Sequence, residues 1–215
     1  MKQLITLILA LLLTYNLTIA QDTMYVHQNG GILTKIAINK IDSIIFYGDT
    51  ATAPIYAVGD SLQGGIIAYI LQTDDIGYVT GQSHGIIAAL SDQSSSAQWY
   101  SSYPFIGATA TAIGAGNANT NSILVSGSGG YNAAWQCWNI NQSNYNGYND
   151  WYLPSKDELN KLYINNTVIG GFVNVAYWSS SEVDDTYAWR QSFLNGYQSN
   201  GDKLSVHYVR CVRSF

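Results

Sequence analysis

Five stretches of this chain carry residue types and spacings that chemistry could use. Gly81-Gln82-Ser83-His84-Gly85 matches the G-x-S-x-G pattern of a nucleophile elbow, and Asp150 and His207 follow in the order that a serine hydrolase would need. The elbow requires a strand, a sharp turn and then a helix. Residues 86–90 read as a strand instead, and no βαβ alternation surrounds them, so the stretch is read as a hairpin turn. Gly114-Ala115-Gly116-Asn117-Ala118-Asn119 imitates a dinucleotide fingerprint, with Asn119 where the third glycine belongs. The next acidic residue, Asp150, lies too far along to hold a ribose, so the glycines read as a turn into a helix.

The remaining candidates are metal and thiol chemistry. His27, His84 and His207 are scattered and form no pair at ligand spacing, which argues against zinc or iron. Asp74-Asp75 and the Glu182, Asp184, Asp185 group offer hard oxygens to calcium. Calcium takes about six to eight oxygens, and no D-x-D-x-D-G loop gathers them, so no cofactor is expected and calcium stays an alternative. Cys137 and Cys211 are the two cysteines. An even count in an exported chain leaves one intramolecular pairing, and a Cys137–Cys211 disulfide is expected, against the alternative of two buried thiols.

Export is read from the first residues. Lys2 gives a positive start, residues 4–13 are mostly apolar, and Thr18-Ile19-Ala20 supplies small residues for cleavage. A spanning helix needs ~20 apolar residues, so a cleaved leader over 1–20 and no membrane insertion afterwards are expected. The net charge of −5 becomes −6 when Lys2 leaves with that leader, which argues against a nucleic-acid partner. Charged residues are only 11% of the chain, so the surface must be polar but largely neutral, rich in amides, hydroxyls and rings.

The elements that must position these groups follow from pattern. Residues 21–47 form a short β segment: 24–27, the turn signal Asn29-Gly30, 32–38, and a third strand at 41–46. Residues 48–55, small and polar around Pro54, read as a linker. The main domain is expected over 56–215. Residues 64–71 and 85–90 read as buried strands, and 117–125 and 132–140 as helices. In the second helix Ala133, Ala134, Cys137 and Trp138 are placed on one inward face. Ser155 three residues before Glu158 is a capping box that starts a third helix. Strands are expected at 177–182, 188–194 and 204–213, with Asn195-Gly196 as a tight turn. The fold class is α+β with antiparallel strands and two or three helices.

Several of these stretches together resemble the Lcl C-terminal domain family. They are Gly64-Gly65-Ile66-Ile67-Ala68, Ala97-Gln98-Trp99, Ile113-Gly114-Ala115-Gly116-Asn117-Ala118-Asn119-Thr120, Asp150-Trp151-Tyr152-Leu153-Pro154-Ser155-Lys156-Asp157-Glu158-Leu159, Tyr177-Trp178-Ser179-Ser180-Ser181-Glu182 and Val209-Arg210-Cys211-Val212-Arg213-Ser214-Phe215. The resemblance covers about 56–215. It implies a C-type-lectin-like fold, related to that of formylglycine-generating enzymes, in exported proteins with adhesive or ligand-binding roles. The 24–46 segment is similar to an element preceding such domains in Bacteroidota surface proteins, and Asp49-Thr50-Ala51 resembles an O-glycosylation signal of that group. The enzyme relatives rely on closely placed cysteines, which the distant Cys137 and Cys211 do not provide.

The expected function is therefore a non-enzymatic, adhesin-like module for a glycan or a cell-surface protein. The alternatives are a structural subunit of a surface assembly or a diverged enzyme. In the lectin-like plan the loops near the late strands gather on one side, so Tyr145, Tyr148, Asn149 and Asp150 are expected to join Glu182, Asp184, Asp185, Tyr187 and Asn195 in a ligand site. Trp135, Trp138, Trp151, Trp178 and Trp189 are assigned to the core, because their large apolar area favours burial.

Overall fold

A computed structural model describes residues 23–27, 33–37, 55–127 and 131–215. The chain divides into two units, Met1–Thr50 and Ala51–Phe215. In the first, β1 (Thr23–His27) pairs antiparallel with β2 (Leu33–Ala37), from Thr23 opposite Ala37 to His27 opposite Leu33. The leader, the Asn29-Gly30 turn, the strand at 41–46 and Thr50 lie outside the described residues.

In the second unit the apolar run at 64–71 becomes β4 (Gly65–Ile70), and the run at 85–90 becomes β5 (Gly85–Ala88). They pair antiparallel inside a four-stranded sheet of order β11-β5-β4-β3, whose edges are β3 (Ser61–Leu62) and β11 (Val212–Ser214). Both strands are buried on both faces near their centres, which is why their sequences run apolar without alternating.

The second sheet has five strands in the order β6-β10-β7-β8-β9. These are β6 (Ser94–Gln98), β7 (Ala176–Glu182), β8 (Tyr187–Ser192), β9 (Gln198–Asp202) and β10 (Val206–Val209). Three sequence expectations need correction here. The sheet is mixed, because β10 runs parallel to β7 with Tyr208 beside Tyr177. The single strand expected over 204–213 is two, β10 in one sheet and β11 in the other. The break falls at Arg210 and Cys211, whose buried guanidinium and disulfide take the chain between the sheets. β6 and β9 were not anticipated at all, since SSSAQ and QSNGD are polar and become strands only by pairing with β10 and β8.

Four helices are described where two or three were expected: α1 (Gly116–Val125), α2 (Ala133–Gln142), α3 (Lys156–Ile164) and the single turn α4 (Asn166–Ile169). The capping box forms as the sequence indicates. The Ser155 hydroxyl accepts from the Glu158 amide, and the Glu158 carboxylate accepts from the Ser155 amide at 2.7 Å. In α2 the Asn132 side chain accepts from the Trp135 amide at 2.7 Å. Ala133, Ala134 and Cys137 point inward, and Cys137 is bonded to Cys211 with Cα atoms 5.6 Å apart. Trp138 does not share that face. It is 41% exposed, because one residue beyond Cys137 turns the side chain about 100° around the helix.

Trp99, Trp151 and Trp178 fill the interior with Ile67, Ile87 and Leu153, while Tyr177, Leu159, Leu162 and Phe193 form a second cluster. Each buried indole finds an acceptor: Trp99 donates to Ser179 O, Trp178 to Ala97 O and Trp151 to Tyr145 O. Trp135 and Trp189 are half-buried.

Candidate ligand-binding site

The residues expected to form one loop site fall into three places. The first is the segment 145–150, held over the turn between β3 and β4. Asn146 donates to Gly64 O at 2.8 Å, and Gly64, with a φ of +83°, leaves room where a Cβ would meet Asn146 and Tyr148 at 2.9 Å. Arg213 of β11 then grips Asp150 with both ends of one guanidinium edge, Nε to Oδ1 at 2.6 Å and Nη2 to Oδ2 at 2.8 Å. Its plane lies 4.1 Å from the Tyr148 ring, and its Nη1 donates to the Gln63 side chain. Tyr145 packs edge-on against Trp151. Within this segment Asn149 and half of the Asp150 side chain face solvent.

The second place is the β7–β8 turn. Asp184 accepts from the amides of Thr186 and Tyr187, at 2.8 and 2.7 Å, and Asp185 accepts from the Thr186 hydroxyl. Both acids are exposed, as is the Tyr187 ring. Glu182 is not part of any such surface. Its side chain has no exposure, and its carboxylate accepts from Lys203 Nζ at 2.6 Å and from the amides of Ile106 and Gly107. The third place is the β8–β9 turn, where Asn195 accepts from the Tyr197 amide at 3.1 Å. It lies at the other end of β8 from Tyr187, roughly 17 Å away at the usual strand rise of ~3.3 Å per residue.

The stretches that imitate catalytic motifs have structural work instead. Ser83 sits in the loop before β5, and the His84 ring contacts Phe215 O and the Gln82 side chain. Asp150 is held by Arg213, and His207 is in β10 against Arg190 at 3.0 Å, so the acid and the histidine of the imagined triad are engaged separately. At the Gly114-Ala115-Gly116 turn the Glu158 carboxylate accepts from the Gly114 amide at 2.8 Å. A Cβ on Gly116 would lie 2.2 Å from that carboxylate, so an acid fills the place a pyrophosphate would take. Burial holds the Glu158 carboxyl above its ordinary value, against the opposing pull of the Ser155 and Gly114 amides. Among the described residues, no three His, Cys, Asp or Glu side chains gather into a group able to hold a metal. No described helix is long and apolar enough to cross a membrane.

Two surfaces escaped sequence reasoning. Tyr131, Trp135 and Trp138 form a row along α2, with ring centroids 4.9 and 6.2 Å apart, and Tyr131 is 75% exposed. Trp135 and Trp138, three residues apart, share a helix face legible in the sequence, whereas Tyr131 precedes the Asn132 cap with a φ of +71° and joins them only in the folded chain. The other is an open depression of about 410 Å³ over β8 and β9, lined by Ala176, Arg190, Ser192, Asn195, Tyr197, Ser199 and Asn200. No sequence signal marks it, because its residues come together through strand register. A smaller cleft of about 200 Å³ is lined by Leu71, Ile86, Ile113 and Phe215 and reaches Glu158.

Comparison with known proteins adds three findings. No curated protein matches the chain. A crystal structure of a fimbrial protein from Bacteroides ovatus ATCC 8483 is similar at 15% identity with a TM-score of 0.48, over 81% of this chain and 47% of that one. This chain thus spans about half the length of that protein. The Lcl C-terminal domain family matches residues 88–213, a range that takes in the Trp99, Asp150 to Leu159, Tyr177 to Glu182 and Val209 to Arg213 segments described above. The chain belongs to the Lcl C-terminal domain family.

Proposed function

We propose that this protein is an exported, non-enzymatic, adhesin-like binding module of the C-type-lectin-like plan, and that its ligand is a glycan. The observation that carries this reading is the row Tyr131–Trp135–Trp138 at the start of α2, with Tyr131 and Trp138 exposed and Trp135 half-buried between them. Pyranose rings present apolar C–H faces that stack on aromatic side chains, and a row of rings about 5–6 Å apart can follow successive sugars. Exposed aromatic groups of this size are more than a neutral polar surface needs, and such patches mark interaction sites. The surrounding amides of Gln136, Asn139 and Gln142 can bond sugar hydroxyls. The interior acids support the non-enzymatic part, since Glu158, Glu182 and Asp92 are committed to a helix cap and to ion pairs. The exposed Asn149 with the half-buried Tyr145 and Tyr148, and separately the exposed Asp184, Asp185 and Tyr187, are two further proposed contact regions.

A glycan array probed with the protein and with Trp135→Ala and Trp138→Ala variants tests the reading. Capture of specific glycans that both variants lose is expected, with the thermal midpoint unchanged for the exposed Trp138→Ala variant. An array on which the protein captures nothing, or captures equally without either ring, overturns it.

A further inference from the structure

We propose that the depression over β8 and β9 is a subsite for the carboxylate of an acidic sugar, with Arg190 as its anchor. The site shares no residue with the aromatic row. It rests on the glycan reading only for the choice of a sugar over a peptide.

Arg190 stands out by what it lacks. Among the described side chains, Arg210 is paired with Asp92, Arg213 with Asp150 and Lys203 with Glu182. Lys156 and Lys161 lie over the rings of Trp189 and Tyr69. Arg190 has no carboxylate. Its Nη1 is 3.0 Å from His207 Nε2, and its Nε is buried with no hydrogen-bond partner. Burial and the neighbouring guanidinium push the His207 imidazole down to about 4, so at neutral pH it accepts from Arg190 and adds no charge of its own. A full positive charge is therefore left at the depression without a counter-ion.

The geometry names the ligand group. With Nη1 taken by His207 and Nε buried, Nη2 is the part of the guanidinium left to a ligand, and an uncompensated charge there suits a carboxylate oxygen. Strand register puts Arg190 opposite Ser199 and Ala176 opposite Ser192, so both pairs face one side of the sheet. Asn195 and Asn200 add amides at the rim, and Tyr197, 69% exposed, adds a ring. A guanidinium, hydroxyls, amides and one open ring suit a uronic or sialic acid. The volume of about 410 Å³ lies within the ~300–1,000 Å³ of small-ligand sites.

Calorimetric titration with galacturonate, glucuronate and N-acetylneuraminate, each beside its methyl ester, tests the proposal. The ester keeps the shape and removes the charge. At least one free acid is expected to bind, its ester roughly tenfold or more weaker, and binding is expected to weaken as salt rises. Arg190→Gln should lose the acid by a similar factor, and Arg190→Lys should retain part of it. Since Arg190 also packs on Trp178, Tyr197→Ala serves as an independent variant on an exposed ring and should weaken the acid at unchanged thermal midpoint. Equal binding of acid and ester, full binding by Arg190→Gln, binding of none of the three acids, or binding of a glutamate-rich peptide in their place overturns it. Neutral glycans captured through Trp138 by the Arg190→Gln protein would leave the aromatic-row reading standing while this one fails.

Discussion

Lys203 and Glu182 form an ion pair 2.6 Å long with neither side chain exposed, and Lys203 also donates to Pro104 O and lies 4.9 Å from the Trp99 ring. The pair joins the end of β7 to the loop after β9 and fixes the 104–107 segment through the Ile106 and Gly107 amides. Removing one partner leaves a buried charge, which costs about 3–5 kcal/mol, whereas replacing both by apolar groups is often neutral. Lys203→Met is thus expected to lower stability by about that amount in urea unfolding, and Lys203→Met with Glu182→Leu to recover much of the loss. A single variant as stable as the parent would show that the pair contributes nothing.

The Cys137–Cys211 bond closes a separation of 74 residues, which corresponds to about 4 kcal/mol in the chain-entropy account. The oxidised protein should show no free thiol on denaturation and two after reduction. Reduction, or Cys137→Ala with Cys211→Ala, should lower the thermal midpoint clearly. Two free thiols in the untreated protein would refute the bridge.

Glu158 serves two turns at once, since it caps α3 and accepts from the Gly114 amide before α1. Glu158→Ala strands these donors, each costing about 1–3 kcal/mol when buried and unpaired, while the Tyr152 hydroxyl keeps its contact with Ser214. Ser155→Ala should cost less, about 0.5–2 kcal/mol for the cap. Chemical denaturation of the two variants checks the order. A smaller loss for Glu158→Ala than for Ser155→Ala would mean that the link to Gly114 carries no weight.

His207 makes stability depend on acid. Its folded value of about 4 lies below the ordinary imidazole value of 6.5, so between these the unfolded chain binds a proton that the folded chain does not. Stability from this group is complete above pH 6.5 and is lost as the pH falls through about 4. Glu158, raised by burial, acts in the opposite sense, so the comparison must isolate the histidine. A His207→Gln variant should show a shallower loss of stability between pH 6.5 and 4 in unfolding titrations. Parallel curves for the two proteins would contradict the assignment.

Tyr187 and Tyr148 differ as tests of the loop contacts. Tyr187 is exposed at the β7–β8 turn, so Tyr187→Ala should weaken capture of an array-identified glycan at unchanged thermal midpoint. Tyr148 lies against the Arg213 guanidinium and near Gly64, so its alanine variant should also lose stability, about 0.5–2 kcal/mol for the cation–π contact. Undiminished capture by both variants would remove the loops from the proposed surface.

The sequence by itself determined the features that are settled within a few residues. The Ser155 to Glu158 cap, the two-sided burial of 65–70 and 85–88, and the inward face of Ala133, Ala134 and Cys137 follow from turn hydrogen bonds and side-chain period. The count of two cysteines also left one internal pairing. Only the tertiary structure decided the rest. Glu182 and Asp184 are two positions apart and both acidic, yet one is buried by Lys203 and the other is exposed at a turn. The polar segments 94–98 and 198–202 are strands because β10 and β8 offer them ladders. Arg210 breaks the last strand because Asp92, 118 residues earlier, waits beside it, while Arg190 has His207 and no carboxylate beside it. Charge pairing and strand register act between segments distant in the chain, and local sequence contains neither the partner nor the distance.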